Sequence, residues 1–220
     1  INQGLILGED GEKMSKSRGN VVNPDDVIAG HGADAFRLYE MFMGPLEALK
    51  PWNTRGIEGI DRFLQRAWRL IVTPEGGLNP SIHESPVEGS LRQALHRTIL
   101  GVTEDLEGLR FNTAISQLMV LRDRLADASP IPRQAVEAFV LLLAPLAPHL
   151  GEELWQRLGH AESVAYAPWP THDPQALEQS QVEWVVQING KVRGRLTLPA
   201  EIDEASLKAQ VLADEQVKRH

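Results

Sequence analysis

Cysteine is absent from the 220 residues. That excludes a disulfide scaffold, cysteine-ligated zinc, iron–sulfur clusters and thiol catalysis, and it fits a reducing compartment. Long apolar runs are lacking too. The longest, Phe139–Pro148, falls far short of the roughly 20 residues needed to cross a bilayer. No basic-then-apolar leader precedes Ile1, so no secretory signal is expected. An excess of positive charge is missing as well. A formal net charge of -8 rules out a uniformly basic nucleic-acid binder but leaves room for a local basic patch. There is no internal repeat and no low-complexity tract. None of the seven histidines stands at metal-ligand spacing from another or from an acid on the same helix, so no metal site is expected. The length allows one or two domains and a core that needs no metal or disulfide. Both ends read as cut: the chain starts at Ile1 on an apolar alternating stretch and stops at His220 just after a helical pattern begins. The expectation is a piece of something larger.

Along the chain, residues 1–23 read as a short strand and a glycine-punctuated loop in which Glu9, Asp10 and Glu12 balance Lys13, Lys16 and Arg18. Asn23-Pro24-Asp25-Asp26 is a helix start, with Asn as cap, Pro at the first helical position and acids in the first turn. A second helix spans about 32–43. Asn53 caps the first of several long amphipathic helices, whose stripe is Ile57, Ile60, Leu64, Trp68 and Ile71. Residues 73–86 read as a loop. Leu91, Leu95, Ile99, Val102, Leu106 and Leu109 mark the next helix, and Phe111, Ile115, Leu118, Leu121 and Leu125 the one after. Ser129-Pro130-Ile131-Pro132 breaks that pattern. The helix at about 133–144 is apolar on most sides and should be the most buried. Pro145 and Pro148 interrupt it, and a short helix through Leu154, Trp155 and Leu158 follows. Short links between amphipathic helices predict an antiparallel bundle. Residues 159–180 carry prolines and no helical period, and read as a linker. Beyond them the period drops to two: Val182, Trp184, Val186 and Ile188, then Asn189-Gly190, then Val192, Leu196 and Leu198 predict a β-hairpin. A last helix opens at Asp203. Trp68, Trp155 and Trp184 sit at apolar-face positions and read as core anchors rather than base-stacking platforms.

Two places carry chemistry. Lys13-Met14-Ser15-Lys16-Ser17, between a strand and a helix and flanked by Gly11 and Gly19, offers two ammonium groups and two hydroxyls on a mobile backbone. Such a set suits a polyphosphate, whose leaving pyrophosphate needs cations and N–H donors. The competing reading is a solvated charged loop. The hairpin carries Lys191, Arg193 and Arg195 with no acid between Val185 and Ala200. Its period of two places these bases on one face, opposite Val192, Leu196 and Leu198. A basic hairpin on an acidic chain fits phosphate contact, and edge-strand protection is the alternative. Arg62, Arg66 and Arg69 share one side of the first bundle helix and either face an RNA backbone or form a solvated face.

The pentapeptide 13–17 as it stands is the signature loop of the class I aminoacyl-tRNA synthetases, and it arises by chance in a chain this size at roughly one in ten thousand. Gly19-Asn20-Val21-Val22-Asn23-Pro24 and Gly32-Ala33-Asp34-Ala35-Phe36-Arg37 resemble the family's segment after that loop. Leu143–His149 and Glu152-Glu153-Leu154-Trp155 resemble the tRNA-binding bundle of the leucine, isoleucine, valine and methionine subgroup. Trp52-Asn53, Gly56–Gly59, Arg62-Phe63-Leu64 and Val186–Gly194 are most similar to the leucine-specific members. The family's other nucleotide motif, His-Ile-Gly-His, is nowhere in the chain. The resemblance implies a mainly α fold in four parts. Residues 1–50 would end a catalytic domain, with the loop and connector helices. Residues 51–170 would form an antiparallel helix bundle of the anticodon-binding type, 171–180 a linker, and 181–220 a truncated α/β module. It further implies a leucine–tRNA ligase, monomeric and cytoplasmic, that takes leucine, ATP with Mg²⁺ and tRNA(Leu). This chain would supply Lys16, and around it Lys13, Met14, Ser15 and Ser17, to ATP, be inactive alone, and bind no membrane. A free-standing tRNA-binding module, or the isoleucine, valine or methionine counterpart, remains the alternative.

Overall fold

The chain divides into two compact units, Ile1–His172 and Asp173–His220. The computed structural model describes residues 2–177, 181–188, 191–199, 202 and 204–214.

In the first unit, β1 (Ile6–Leu7) leads through the lysine loop to α1 (Pro24–His31), where the Asn23 side chain accepts from the Asp25 N–H at 3.3 Å as the cap sequence predicts. Next come α2 (Ala33–Phe42) and β2 (Lys50–Pro51), which pairs in parallel with β1. Asn53 then caps α3 (Thr54–Ile71), its side chain accepting from the Arg55 N–H at 3.0 Å. The buried face of α3 is Ile57, Ile60, Phe63, Ala67, Leu70 and Ile71, while Leu64 and Trp68 of the expected stripe are only half-buried. The helix touches α2 and two later bundle helices, so its apolar sector is wider than a single stripe and turns toward Phe63 and Ala67.

The expected loop at 73–86 contains β3 (Ile82–His83). After α4 (Gly89–Glu107) and α5 (Phe111–Ala126), β3 pairs in parallel with β4 (Ile131–Pro132). The link between α4 and α5 is only Gly108-Leu109-Arg110, which makes the two helices an antiparallel hairpin. Buried Asp105 locks it, accepting from Arg110 Nε and Gln117 Nε2, each at 2.7 Å. Leu109 lies outside α4, with φ at 57°. The helix predicted to be most buried is α6 (Arg133–Leu143), which hides Ala135, Val136, Ala138, Phe139, Val140, Leu142 and Leu143. Pro148 opens α7 (Pro148–Arg157) at its first helical position. Residues expected in the linker pack on this bundle: Val164, in a short 3₁₀ turn, is buried, and Trp169 Nε1 donates to Thr103 Oγ1 at 2.9 Å. The result is the mainly helical bundle that the apolar periods predict.

The second unit holds α8 (Pro174–Leu177), the antiparallel pair β5 (Gln181–Ile188) and β6 (Lys191–Pro199), and α9 (Glu204–Ala213). The predicted Asn189-Gly190 turn lies outside the described residues. Val186 pairs with Gly194 but Gln187 with Val192, so Arg193 is the extra residue of a β-bulge. The strict alternation expected of the hairpin therefore breaks at 193. Val192 is exposed rather than sharing the inward face of Leu198, which is buried.

Candidate functional site

The lysine loop is tied at both ends and in the middle. Gly8 N–H donates to Glu12 O and Gly11 N–H to Gly8 O, each at 2.9 Å, and Lys13 bridges back to Leu7. Asn20 is the central pin. Its Oδ1 accepts from the Ser15 N–H at 2.8 Å, and its Nδ2 donates to Asp10 Oδ1 and Oδ2 at 3.1 and 3.0 Å. A Cβ on Gly8 would come within 2.7 Å of Asp10 Oδ1 and 2.9 Å of Asn20 Nδ2, so this closure requires glycine there. Gly11 and Gly19 turn the chain at φ 76° and 70°, in the left-handed region that favours glycine.

Met14 is half-buried against the bundle core and anchors the loop, whereas Lys13, Lys16 and Ser17 are exposed. Ser15 Oγ and Ser17 Oγ lie 2.8 Å apart. Among the described residues no carboxylate pairs with Lys13 or Lys16. The three acids of the loop are engaged elsewhere: Glu12 with Arg18 at 3.0 Å, Asp10 with Asn20, and Glu9 with the bundle. Glu9 Oε1 accepts from Thr54 Oγ1 at 2.6 Å and from the Thr54 N–H at 3.0 Å, at the first residue of α3. The Thr54 hydroxyl and N–H hold the Glu9 carboxyl below its usual range. The Glu12 N–H, with Asn20, does the same for Asp10. A carboxylate lowered on folding contributes stability above its unfolded pKa and loses it as pH falls through the folded one. Both ties are therefore intact at neutral pH.

Nothing in the periodicity pointed to Asn20 or to the Glu9–Thr54 tie. The only sequence signal was an Asn placed just after a turn glycine. Asn20→Ala is expected to raise tryptic cleavage after Lys13, Lys16 and Arg18 about thirtyfold, because two or more hydrogen bonds of about 1 kcal/mol each hold the loop closed. The bundle melt should stay in place. Mass-resolved limited proteolysis of the two chains checks this, and equal cleavage rates would remove Asn20 from the role of pin.

Arg62, Arg66 and Arg69 of α3 are all exposed. Arg62 lies 3.8 Å from Glu58 one turn earlier. Arg66 and Arg69 instead line a cleft with Arg122 of α5, which sequence reasoning did not single out. On the hairpin, Arg195 is exposed and pairs across from Val185, itself exposed. Arg193, at the bulge, is half-buried, with its Nε shielded from solvent. The bulge thus corrects the expected single basic face. The side chain of Lys191 lies outside the described residues. Among the described residues no group of three or more histidines, aspartates or glutamates is placed to hold a metal ion, and no helix is long and apolar enough to cross a membrane.

Residues 89–209 match the family described as the anticodon-binding domain of tRNA ligase. Residues 1–50 match the tRNA synthetases of class I for I, L, M and V. Among solved structures, the chain is similar to the LeuRS in a ternary LeuRS–tRNA–LeuAMS complex from Agrobacterium radiobacter, with 31% identity and a TM-score of 0.79. That similarity covers 100% of this chain and 30% of that one.

Proposed function

Since the chain belongs to the family of tRNA-ligase anticodon-binding domains, carried here on the end of a class I tRNA synthetase domain, we propose that it is the part of a leucine–tRNA ligase that closes over ATP and holds tRNA(Leu). The observation that carries this reading is the tie between the lysine loop and the helix bundle of the first unit. The loop with the free lysines hangs on the first turn of α3 through Glu9 and Thr54, so the ATP-facing and RNA-facing parts share a frame. Likeness to a LeuRS solved with tRNA supports the leucine assignment.

In this reading Lys16 neutralises charge developing on the departing pyrophosphate, with Lys13 contributing less from the loop's anchored base. The hydroxyls of Ser15 and Ser17 add donors, and Met14 fixes the loop's position. Mg²⁺ arrives with ATP as part of the substrate. The loop's own acids are committed to Thr54, Asn20 and Arg18 and do not form a cage for it. On this reading the amino-acid pocket belongs to another part of the ligase, and the chain alone is expected to activate nothing.

The test has two arms. The chain should bind a tRNA(Leu) transcript more tightly than isoleucine or methionine tRNA transcripts, and it should show no leucine-dependent exchange of pyrophosphate into ATP. Equal affinity for all three would remove the leucine assignment. Exchange catalysed by the purified chain would overturn the reading of it as an incomplete enzyme.

The hairpin bases make a further expectation. Replacing Lys191, Arg193 and Arg195 by Ala should reduce the slope of log affinity against log salt by about two, since each neutralised phosphate contributes about 0.7–0.9. An unaltered slope would assign these charges to protecting the strand edge.

A further inference from the structure

A cleft of about 360 Å³ opens between α3, α5 and the segment that joins α3 to α4. Its charged lining is Arg66, Arg69 and Arg122, and no carboxylate and no aromatic side chain lines it. Arg66 and Arg69 stand at i, i+3 on α3, so they share a side of the helix. Among the described residues neither has an acidic partner. Arg122 comes from the opposite wall. Its side chain is only 11% exposed, one of its terminal nitrogens pairs with Asp123, and its Nε is buried without a hydrogen-bond partner among the described residues. Asn79 shapes the third wall rather than binding anything. Its Nδ2 donates to Leu70 O at 2.9 Å and its Oδ1 accepts from the Ser81 N–H at 3.0 Å.

Asp123 offsets the charge of Arg122, but Arg66 and Arg69 have no acidic partner among the described residues, and a bound anion would offset their positive charge. The guanidinium fork matches the oxygens of phosphate and of carboxylate alike, and the tRNA-binding reading of the chain selects phosphate. With no aromatic surface the cleft has nothing on which to stack a base, so it suits a backbone phosphate rather than a nucleobase. We propose that this cleft is a docking point for one phosphate of the tRNA backbone, held by the exposed Arg66 and Arg69, with Arg122 lining the opposite wall. The proposal rests on the tRNA-binding reading of the chain and adds a place and a mode to it. Because it reads phosphate, it contributes affinity and register, not leucine specificity.

The test measures binding of tRNA(Leu) and tRNA(Met) transcripts to the 220-residue chain over a range of salt concentrations. The double variant Arg66→Gln/Arg69→Gln is expected to bind both transcripts about tenfold more weakly, with a salt slope about one unit shallower. Arg97→Gln, an exposed arginine of α4 outside the cleft, controls for loss of charge. Arg122→Gln should act in the same direction. If burial makes that variant unfold, the two exposed arginines carry the test. Wild-type affinity and slope in the double variant, alongside a loss in the hairpin variant, would overturn the cleft and leave the tRNA reading standing. Failure of the wild-type chain to bind either transcript would overturn both. Saturable binding of inorganic phosphate that the double variant abolishes while tRNA affinity stays unchanged would make this a small-anion site and also overturn the proposal.

Discussion

On the proposed function, Lys16→Ala is expected to slow adenylate formation about a hundredfold in a complete ligase carrying this sequence, and to leave its melting temperature where it was. Lys16 stands exposed on a loop whose backbone is held by Asn20, Gly8 and the Glu9–Thr54 tie, and none of those contacts uses its side chain. Its removal therefore costs the fold little. The kinetic cost is different in kind. A cation already in place when negative charge builds on the leaving pyrophosphate needs no reorganisation, and losing one such donor costs on the order of 3 kcal/mol. Each 1.36 kcal/mol is about tenfold in rate, which gives the hundredfold figure. If the contact belongs to the transition state, kcat and kcat/KM for ATP fall together. If it belongs equally to bound ATP, KM rises alone. Lys16→Arg should recover only part of the rate, because a planar fork replaces a compact charge. Lys13→Ala should do less than Lys16→Ala, since Lys13 sits where the loop pairs back onto Leu7. Normal activation kinetics in Lys16→Ala would take the nucleotide contact away from this residue.

Lys16 could be proposed from the sequence because the loop's pattern is local, and locality likewise accounts for much of the fold. The caps Asn23 and Asn53, the proline at the head of α1 and the apolar surround of α6 are decided within a turn or two of chain, so periodicity and cap rules reach them. What escaped depends on residues far apart. The parallel pairing of Ile82-His83 with Ile131-Pro132 joins segments nearly fifty residues distant and has no period to detect. The turned face of α3, with Phe63 and Ala67 buried in place of Leu64 and Trp68, results from having several partners rather than one. On the hairpin, a bulge at Arg193 shifts the pairing by one residue, and one residue is enough to move a side chain to the other face. Among the polar contacts the pattern repeats. Arg66 and Arg69 are visible as helix neighbours, but Arg122 joins them only across the bundle.

The clearest of these distant contacts carries the second large effect. Asp34→Ala is expected to destabilise the first unit by about 3 kcal/mol. The helix α7 opens at Pro148 behind Ala147, a residue with no side chain able to cap it, and local rules would judge that start a poor one. Asp34, in the first turn of α2, supplies the cap from outside. Its Oδ2 accepts from the Leu150 N–H at 2.7 Å and its Oδ1 from the His149 N–H at 3.4 Å, with His149 Nδ1 2.9 Å from the same oxygen. The carboxylate is buried, yet it meets the exposed N–H groups and the positive end of a helix. Replacing it with Ala removes a charge-assisted bond of about 1.5–3 kcal/mol and leaves the first N–H groups of α7 without their carboxylate acceptor. For a unit of this size about 3 kcal/mol corresponds to a fall in melting temperature of roughly 6–12 °C. Asp34→Asn keeps one accepting oxygen but turns an NH₂ toward a remaining N–H, so it should lie between the two. Urea unfolding of the three proteins measures the order directly. A midpoint for Asp34→Ala within experimental error of wild type would mean that α7 holds its start by packing of Leu154 and Trp155 alone, and that the connector helix is not what fixes it.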